Sequence, residues 1–181
     1  MNKEQTTLFK LLSLCLGYPD AETTEVLAEM EPLAARLVDP FARERLSAFI
    51  ASMRAGSLLD LQEHYTAVFD LNPAASLNLT WHLLGDREDR GRELAELLEI
   101  YRKAGFEPAG NELPDFLPMM LEFMAAAPQS EIHALVGRCL SVLPAITGCL
   151  RENGSLYAPL LEMLCRVVDQ TAHAAQNDVV L

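Results

Sequence analysis

The residues best suited to recognition chemistry are carboxylates beside an apolar helix face. No Lys or Arg occurs between Lys103 and Arg138, although this stretch holds several acids. Asp115 and Glu122 are seven residues apart, so a helix would present both on one face. The apolar face of that helix would carry Leu117, Met120, Leu121 and Met124. Because methionine is adaptable and common on peptide-binding surfaces, the pattern favours a groove with an acidic rim and a Leu/Met floor for a basic, amphipathic peptide helix.

A purely structural interpretation of the same segment stays open. Acids near a helix N-terminus interact favourably with the helix dipole, and proline is common at the first helical position. On this interpretation Glu112, Pro114 and Asp115 only start a helix.

Two further segments depart from ordinary amphipathic sequence. The stretch from Asp70 to Thr80 is polar and rich in turn residues, and the stretch from His82 to Arg92 is charged and contains two glycines. In the second, Asp86 is a plausible N-cap that could pair with Arg90 four residues later. Arg87 in a first helical turn opposes the dipole, so it needs a partner elsewhere. Gly91 lies on the stripe of Leu94 and Leu98 and predicts close approach of another helix.

The usual catalytic and metal signatures are absent from the sequence. It contains no HExxH, no Walker loop, no GxSxG and no GxGxxG after a strand. Glu63-His64 has no second Glu-x-x-His companion, so a di-iron bundle is unsupported. The four cysteines form no CxxC pair and are expected to be free thiols in a reducing compartment. The residues therefore give no support to a catalytic site or a resident cofactor, and we expect no metal.

Amino-acid composition indicates the fold class and argues against a nucleic-acid partner and a membrane span. The net charge of −12 lacks the basic footprint that nucleic acid requires. The chain has 32 Leu and 23 Ala but only 13 Val plus Ile, which favours an all-α fold. The longest apolar stretch, Ala134 to Leu150, contains Arg138 and Pro144 and falls short of the roughly 20 residues of a membrane span. No targeting segment is evident, so we expect a cytoplasmic protein without direct membrane insertion.

Turn and cap residues divide the chain into roughly eight or nine helices within one domain, residues 1–175, followed by a frayed tail, residues 176–181. The predicted helical segments are 4–16, 22–38 with a break near Pro32, 40–55, 58–69 after a Ser57 cap, 75–84, 86–104, 114–126, 130–150 with a kink at Pro144, and a final helix through 160–168.

The chain resembles the NarJ-type respiratory nitrate reductase assembly chaperones, which belong to the redox-enzyme maturation proteins together with the TorD and DmsD chaperones. The resemblance covers roughly residues 8 to 165 and rests on these segments: Leu14 to Asp20, His64 to Asp70, Ser76-Leu77, His82, Gly85 to Gly91, Tyr101 and Glu112 to Pro118. ELPDFLP together with GDREDRG is specific to the nitrate reductase branch.

The resemblance implies a single-domain, TorD-like, all-α helical bundle without catalytic activity. Such a protein binds the apo catalytic (alpha) subunit of a membrane-bound molybdenum nitrate reductase through that subunit's N-terminal peptide. It assists insertion of the molybdenum cofactor and an iron–sulfur cluster before membrane attachment. Molybdenum cofactor biosynthesis proteins are possible further partners, and the expected oligomeric state is a monomer or weak dimer.

The resemblance also assigns the peptide-binding residues. They share three segments, and they are Asp70, Ser76, His82, Gly85, Asp86, Arg87, Arg90, Gly91, Tyr101, Glu112, Pro114, Asp115, Phe116, Leu117, Pro118, Met120, Leu121 and Glu122. Glu112 and Asp115 would meet basic residues of the peptide. Asp115→Lys is accordingly predicted to weaken peptide binding by more than about 1 kcal/mol.

Three alternatives remain at this point. The first is a chaperone for a different molybdoenzyme, of the dimethyl sulfoxide or trimethylamine oxide reductase type. The second is a helical metalloenzyme, which the missing ligand pattern disfavours. The third is a helical scaffold that binds an unrelated amphipathic helix.

Overall fold

The computed structural model describes residues 2–108, 110–127 and 134–177. Ten α-helices occur in these residues: α1 (Lys3–Leu16), α2 (Ala21–Ala34), α3 (Pro40–Ala55), α4 (Leu58–Tyr65), α5 (Leu79–Leu84), α6 (Glu88–Lys103), α7 (Leu117–Ala126), α8 (Ala134–Leu140), α9 (Leu143–Glu152) and α10 (Ala158–Asn177). A π-helical turn, Thr66–Asp70, extends α4, and a 3-10 turn, Pro73–Ala75, follows it. The predicted all-α fold is confirmed. Its predicted tail begins inside α10, and residues 178–181 lie outside the described residues.

Side-chain caps explain where the first helices begin. Asn2 and Gln5 form a reciprocal capping box at α1, and Asp20 and Thr23 form another at α2. Each box satisfies two backbone N–H groups that have no partner within the helix. The hydroxyl of Ser57 accepts a hydrogen bond from the backbone N–H of Asp60, as the sequence predicts for the start of α4.

Prolines mark three of the predicted boundaries, and the structure differs from the prediction at each of them in a different way. Helix α2 ends at Ala34, two residues after Pro32, so the predicted break near Pro32 is present, but the helix does not resume to Val38. Pro144 starts α9 instead of kinking a longer helix, so the predicted helix 130–150 ends in two pieces, α8 and α9. Pro118, not Pro114, occupies the first turn of α7.

The buried apolar residues form one core cluster that reaches from Leu8 in α1 to Leu164 in α10. Helix α1 packs along α7, α2 packs on α3, and α10 packs on α9 and α3. All four cysteines are free thiols; Cys15 and Cys139 are buried, whereas Cys149, which the sequence also places in apolar surroundings, is only half-buried. Burial, followed by the charges of Asp115 and Glu93, raises the pKa of Cys139 to about 12, so this thiol stays protonated.

One described stretch, Ala134–Glu152, is long and apolar enough to cross a membrane by length and composition. In the fold it is divided between α8 and α9. Its large apolar side chains, among them Leu135, Leu143 and Ile146, are buried in the core cluster. Packing within this chain therefore accounts for the hydrophobicity of the segment.

Candidate functional site

Asp115 is completely buried, and its carboxylate organises the start of α5. One oxygen, Oδ2, accepts hydrogen bonds from the Thr80 backbone N–H at 3.0 Å and from the Thr80 hydroxyl. The other, Oδ1, accepts a bond from the Asn78 amide at 3.3 Å. Asn78 itself makes no side-chain cap bond, so Asp115 supplies from a distant loop the acceptor that the N–H groups of α5 need.

Arg90 completes this buried network from α6. Its Nη2 lies 3.6 Å from Oδ2 of Asp115, and its Nε donates a hydrogen bond to the Thr80 hydroxyl at 3.0 Å. Backbone bonds flank the carboxylate on both sides: the Leu79 N–H donates to the Asp115 carbonyl, and the Leu117 N–H donates to the Leu77 carbonyl. The network therefore locks the loop before α7 onto α5 and α6.

Asp115 consequently does not form an exposed acidic rim, and that prediction is wrong. A buried carboxylate is stable only when it is paired and hydrogen-bonded, and here all of its partners lie within this chain. The predicted face shared with Glu122 is also wrong, because Asp115 precedes α7 whereas Glu122 lies within it.

The predicted apolar floor is likewise wrong, since Leu117, Met120 and Leu121 are fully buried. Helix α7 is apolar on nearly every side, which is the pattern of a core helix and not of a surface groove. Tyr101 is also buried, and its hydroxyl donates a 2.7 Å hydrogen bond to the carbonyl of Pro114, itself buried. These residues shape the surface from beneath it.

The start of α6 differs from the sequence prediction in its N-cap residue, in its ion pairs and in the space around Gly91. Arg87, not Asp86, is the N-cap residue, and Arg90 pairs with Asp115 instead of Asp86. The partner found for Arg87 is Asp89, 3.7 Å away on the exposed surface. Nothing lies within 4 Å of a Cβ added at Gly91, so the predicted close helix approach is wrong.

Gly85, which follows α5, and Gly91, which lies within α6, are predicted to respond in opposite directions to substitution by alanine. Gly85 has φ 58° and ψ −134°, a region that is essentially restricted to glycine. We expect Gly85→Ala to lower the free energy of unfolding by about 1.5 kcal/mol. Gly91→Ala is expected to raise it by about 0.5–1 kcal/mol, because Gly91 is an exposed glycine within α6. Urea unfolding of both variants tests this, and equal effects of the two changes would contradict it.

An aromatic cleft of about 320 Å³ opens beside this network. The residues that line it are Tyr65, Phe69, Asp70, Pro73, Ser76, Leu77, Asn78, Trp81 and Phe116. The π-helical turn after α4 provides Phe69 and Asp70; such turns are rare and frequently lie at functional sites. Trp81, in α5, is 37% exposed. The cleft therefore combines buried aromatic walls with one exposed carboxylate and one accessible indole.

An acidic trough of about 210 Å³ lies on the other side of Phe116, which lines both cavities. The residues that line the trough are Ser13, Phe106, Glu107, Pro108, Glu112, Phe116, Pro118, Met119 and Glu122. Glu107, Glu112 and Glu122 are exposed. The Ser13 hydroxyl donates a 2.8 Å hydrogen bond to the Pro118 carbonyl and fixes α1 to the start of α7. We call the cleft and the trough together the composite groove.

The composite groove is a region of negative potential. No Lys or Arg occurs among the described residues that line either cavity, whereas four acids do. Burial raises the pKa of Tyr65 above its ordinary value, and the charges of Asp70 and Glu112 raise it further. Because Phe116 lines both cavities, the acids of the cleft and of the trough lie on adjoining surfaces. A cation with an apolar neighbour matches this surface.

Comparison with known proteins identifies the family of the chain. The family model described as "Nitrate reductase delta subunit" matches residues 25–162. The chain belongs to this family. A Bacillus subtilis protein with the name nitrate reductase molybdenum cofactor assembly chaperone NarJ is 34% identical over 89% of this chain and 88% of its own length. The Escherichia coli K12 protein of that name is 33% identical over 88% of this chain and 68% of its own length.

The fold of this nitrate reductase delta subunit family member also has a structural counterpart. The crystal structure of an Archaeoglobus fulgidus protein described as a redox enzyme maturation protein superposes with a TM-score of 0.64, at 20% identity, over 93% of this chain and 95% of that one. The resemblance to NarJ-type chaperones and the helical fold that it implies are both confirmed. Membership of the family supports a chaperone role.

The structure brings together only some of the residues that the sequence predicts for the peptide-binding site. Six line the composite groove: Asp70, Ser76, Glu112, Phe116, Pro118 and Glu122. His82 lines neither cavity but contacts a residue that does, with Nε2 at 2.8 Å from the Ser76 carbonyl oxygen. Residues absent from the prediction include Tyr65, Phe69, Trp81, Glu107 and Met119. The single Trp of the chain, in a short helix after a polar segment, is the signal that could have indicated the cleft.

Proposed function

We propose that this protein is the assembly chaperone of a membrane-bound molybdenum nitrate reductase and that its composite groove binds the N-terminal segment of the apo catalytic subunit. The observation that carries the proposal is the combination of an aromatic cleft and an acidic trough around one shared residue, Phe116. The names of its relatives support the choice of client.

The groove suits a short basic amphipathic helix. Such a helix presents large apolar side chains on one face, and the cleft beside Phe69 and Trp81 can enclose one of them. Lys or Arg side chains one turn away would meet Asp70 on one side of Phe116 and Glu112 or Glu122 on the other. Apolar burial then supplies most of the affinity, and the carboxylates supply orientation and selectivity for a basic segment.

Binding of this kind requires no reaction by the chaperone itself. While the groove holds the N-terminal segment, that segment is unavailable for packing onto its own subunit or onto a membrane partner. The apo subunit would stay open for insertion of the molybdenum cofactor and an iron–sulfur cluster, and release would allow membrane attachment. This sequence of events places the chaperone in the cytoplasm, and proteins of molybdenum cofactor biosynthesis would be further partners.

The single tryptophan provides the direct test. A synthetic peptide from the N-terminus of the nitrate reductase catalytic subunit of the same organism should shift Trp81 emission to shorter wavelength, because the peptide covers a partly exposed indole. Isothermal titration calorimetry would give the affinity. A peptide with every Lys and Arg replaced by Gln is the control. Absence of binding between pH 6 and 8 contradicts the proposal, and stronger binding of a dimethyl sulfoxide reductase peptide would assign a different client.

Truncation of Trp81 should weaken this binding about tenfold. Trp81→Ala removes one wall of the cleft, and loss of an aromatic contact at the edge of an interface costs on the order of 1–2 kcal/mol. Trp81→Phe should retain most of the affinity. Leu71→Ala is the matched control, since Leu71 is 76% exposed, lies in the neighbouring loop and lines neither cavity. Calorimetry measures all three; an equal loss for Leu71→Ala would show that the cleft is not the contact.

A further inference from the structure

A second groove, of about 450 Å³, lies between the first turns of α1 and the end of α2. Its lining residues are Lys3, Glu4, Thr7, Leu33, Arg36, Leu37 and Val38, and we call it the basic groove. Two of its apolar side chains are unusually accessible: Leu33 is 43% exposed and Val38 is 76% exposed. Such a pair leaves apolar surface in contact with water inside a concave site.

The charge of the basic groove is positive despite the overall charge of −12. Its one acid is engaged within the chain, because Oε1 of Glu4 accepts hydrogen bonds from the backbone N–H groups of Val38, at 2.5 Å, and Asp39, at 3.1 Å. Lys3 and Arg36 are exposed and form no ion pair with any residue in the described part of the chain. Two cations without an ion-pair partner among the described residues therefore lie beside Leu33 and Val38.

Two further arginines contact Phe41, which lies three residues after Val38 and follows the exposed Asp39. The guanidinium carbon of Arg166 lies 4.3 Å from the centroid of the Phe41 ring, and that of Arg45 lies 5.3 Å from it. Attraction between a cation and the face of an aromatic ring favours this position of each guanidinium. Neither arginine forms an ion pair within residues 2–108, 110–127 and 134–177. Their hydrogen-bonding edges remain available to an anionic group.

The basic groove is separate from the composite groove. Thr7 lines the former and Ser13 lines the latter, and both belong to α1. Six helical residues correspond to about 9 Å along the axis and about 120° around it. A short segment in one groove therefore leaves the other open, and the two surfaces select opposite charges.

We propose that the basic groove docks an acidic, amphipathic segment of a protein partner. One apolar side chain of the segment would pack between Leu33 and Val38. Its carboxylates would meet Lys3 and Arg36, and a longer segment would reach the two arginines on Phe41. A bilayer fits less well, because the surface is concave and because a chain of net charge −12 is repelled by anionic lipids. The inference stands without the proposed function of the composite groove.

The test uses a designed probe of matching chemistry. The probe is a 14-residue peptide with Leu at positions i, i+3, i+4 and i+7, Glu at four other positions and Ala elsewhere, and its counterpart has Lys in place of Glu. Calorimetry should detect binding of the acidic peptide that depends on Lys3 and Arg36, whereas the Lys counterpart, which suits the composite groove, should bind independently of these two residues. The double variant Lys3→Glu/Arg36→Glu should bind the acidic peptide at least tenfold more weakly. The matched control is Arg102→Glu/Lys103→Glu, since these two exposed cations lie at the end of α6 near Glu99.

The other results of these experiments either support the proposal or overturn it. Unchanged thermal unfolding of the double variant shows that a loss of binding is local. Failure of the acidic peptide to bind, an equal loss of Lys-counterpart binding in the Lys3→Glu/Arg36→Glu variant, or an equal loss of acidic-peptide binding in the Arg102/Lys103 control overturns the proposal. Sedimentation of the protein with vesicles of equal phosphatidylglycerol and phosphatidylcholine, dependent on Lys3 and Arg36 and without peptide binding, also overturns it in favour of a membrane surface.

Discussion

Asp115→Asn is expected to lower the free energy of unfolding by about 3 kcal/mol, since removal of one partner from a buried ion pair leaves the other charge uncompensated. The carboxylate is fully buried, and Arg90 opposite it is only 20% exposed. Asparagine keeps the shape, but it has only one acceptor oxygen, so it cannot accept both the bonds that Thr80 donates and the bond that the Asn78 amide donates. Urea unfolding followed by circular dichroism measures the loss.

Glu112→Gln is the control for this change. It lies three residues earlier in the same segment, it is exposed, and its neutralisation should alter stability by less than about 0.5 kcal/mol. A variant Asp115→Asn that is as stable as the wild type but binds the client peptide weakly would contradict the structural role. It would also restore the predicted acidic rim.

The earlier expectation for Asp115→Lys changes accordingly. An ammonium at this position would face the Arg90 guanidinium in a buried site, so the variant should lose its fold before it loses a specific contact. Weak peptide binding by Asp115→Lys would therefore not identify a binding residue. Any binding measurement on this variant needs an unfolding curve beside it.

The sequence reveals most helices because their apolar spacing and caps are local properties. The role of Asp115 is not local: its carboxylate meets Thr80, 35 positions earlier, and Arg90, 25 positions earlier. An acid close to a helix start is equally compatible with a dipole contact, a rim or a buried cap. Only the placement of α5 against the loop before α7 distinguishes these possibilities. The two signature segments, ELPDFLP and GDREDRG, contain the two ends of this ion pair.

The two halves of the composite groove differ in how far the sequence could predict them. Glu112 and Glu122 were predicted because a stretch without Lys or Arg stays acidic in any arrangement of its helix. The cleft could not be predicted in the same way, because Tyr65 and Phe69 continue the apolar stripe of α4 and have the pattern of core residues. The π-helical turn and the loop after it open the space beside them, and neither has a distinct apolar period.

Neutralisation of three groove acids should weaken binding of the basic client peptide about 30-fold at low ionic strength. The variant is Asp70→Asn/Glu112→Gln/Glu122→Gln, which removes carboxylates on both sides of Phe116. Each exposed ion pair contributes about 0.2–1 kcal/mol, so three pairs give about 2 kcal/mol, and tenfold in affinity corresponds to about 1.4 kcal/mol. Calorimetry at several salt concentrations measures the effect.

The salt dependence separates the groove from the general charge of the protein. Glu25→Gln/Glu44→Gln/Glu96→Gln makes the same change in net charge at exposed acids that line neither cavity, and it should weaken binding less than threefold. At about 1 M salt, where the screening length is about 3 Å, the wild type and the groove variant should converge. The affinity that remains then belongs to the aromatic cleft and should still depend on Trp81. Equal losses in the two triple variants would mean that long-range charge alone attracts the peptide, and the acidic trough would then have no specific role in recognition.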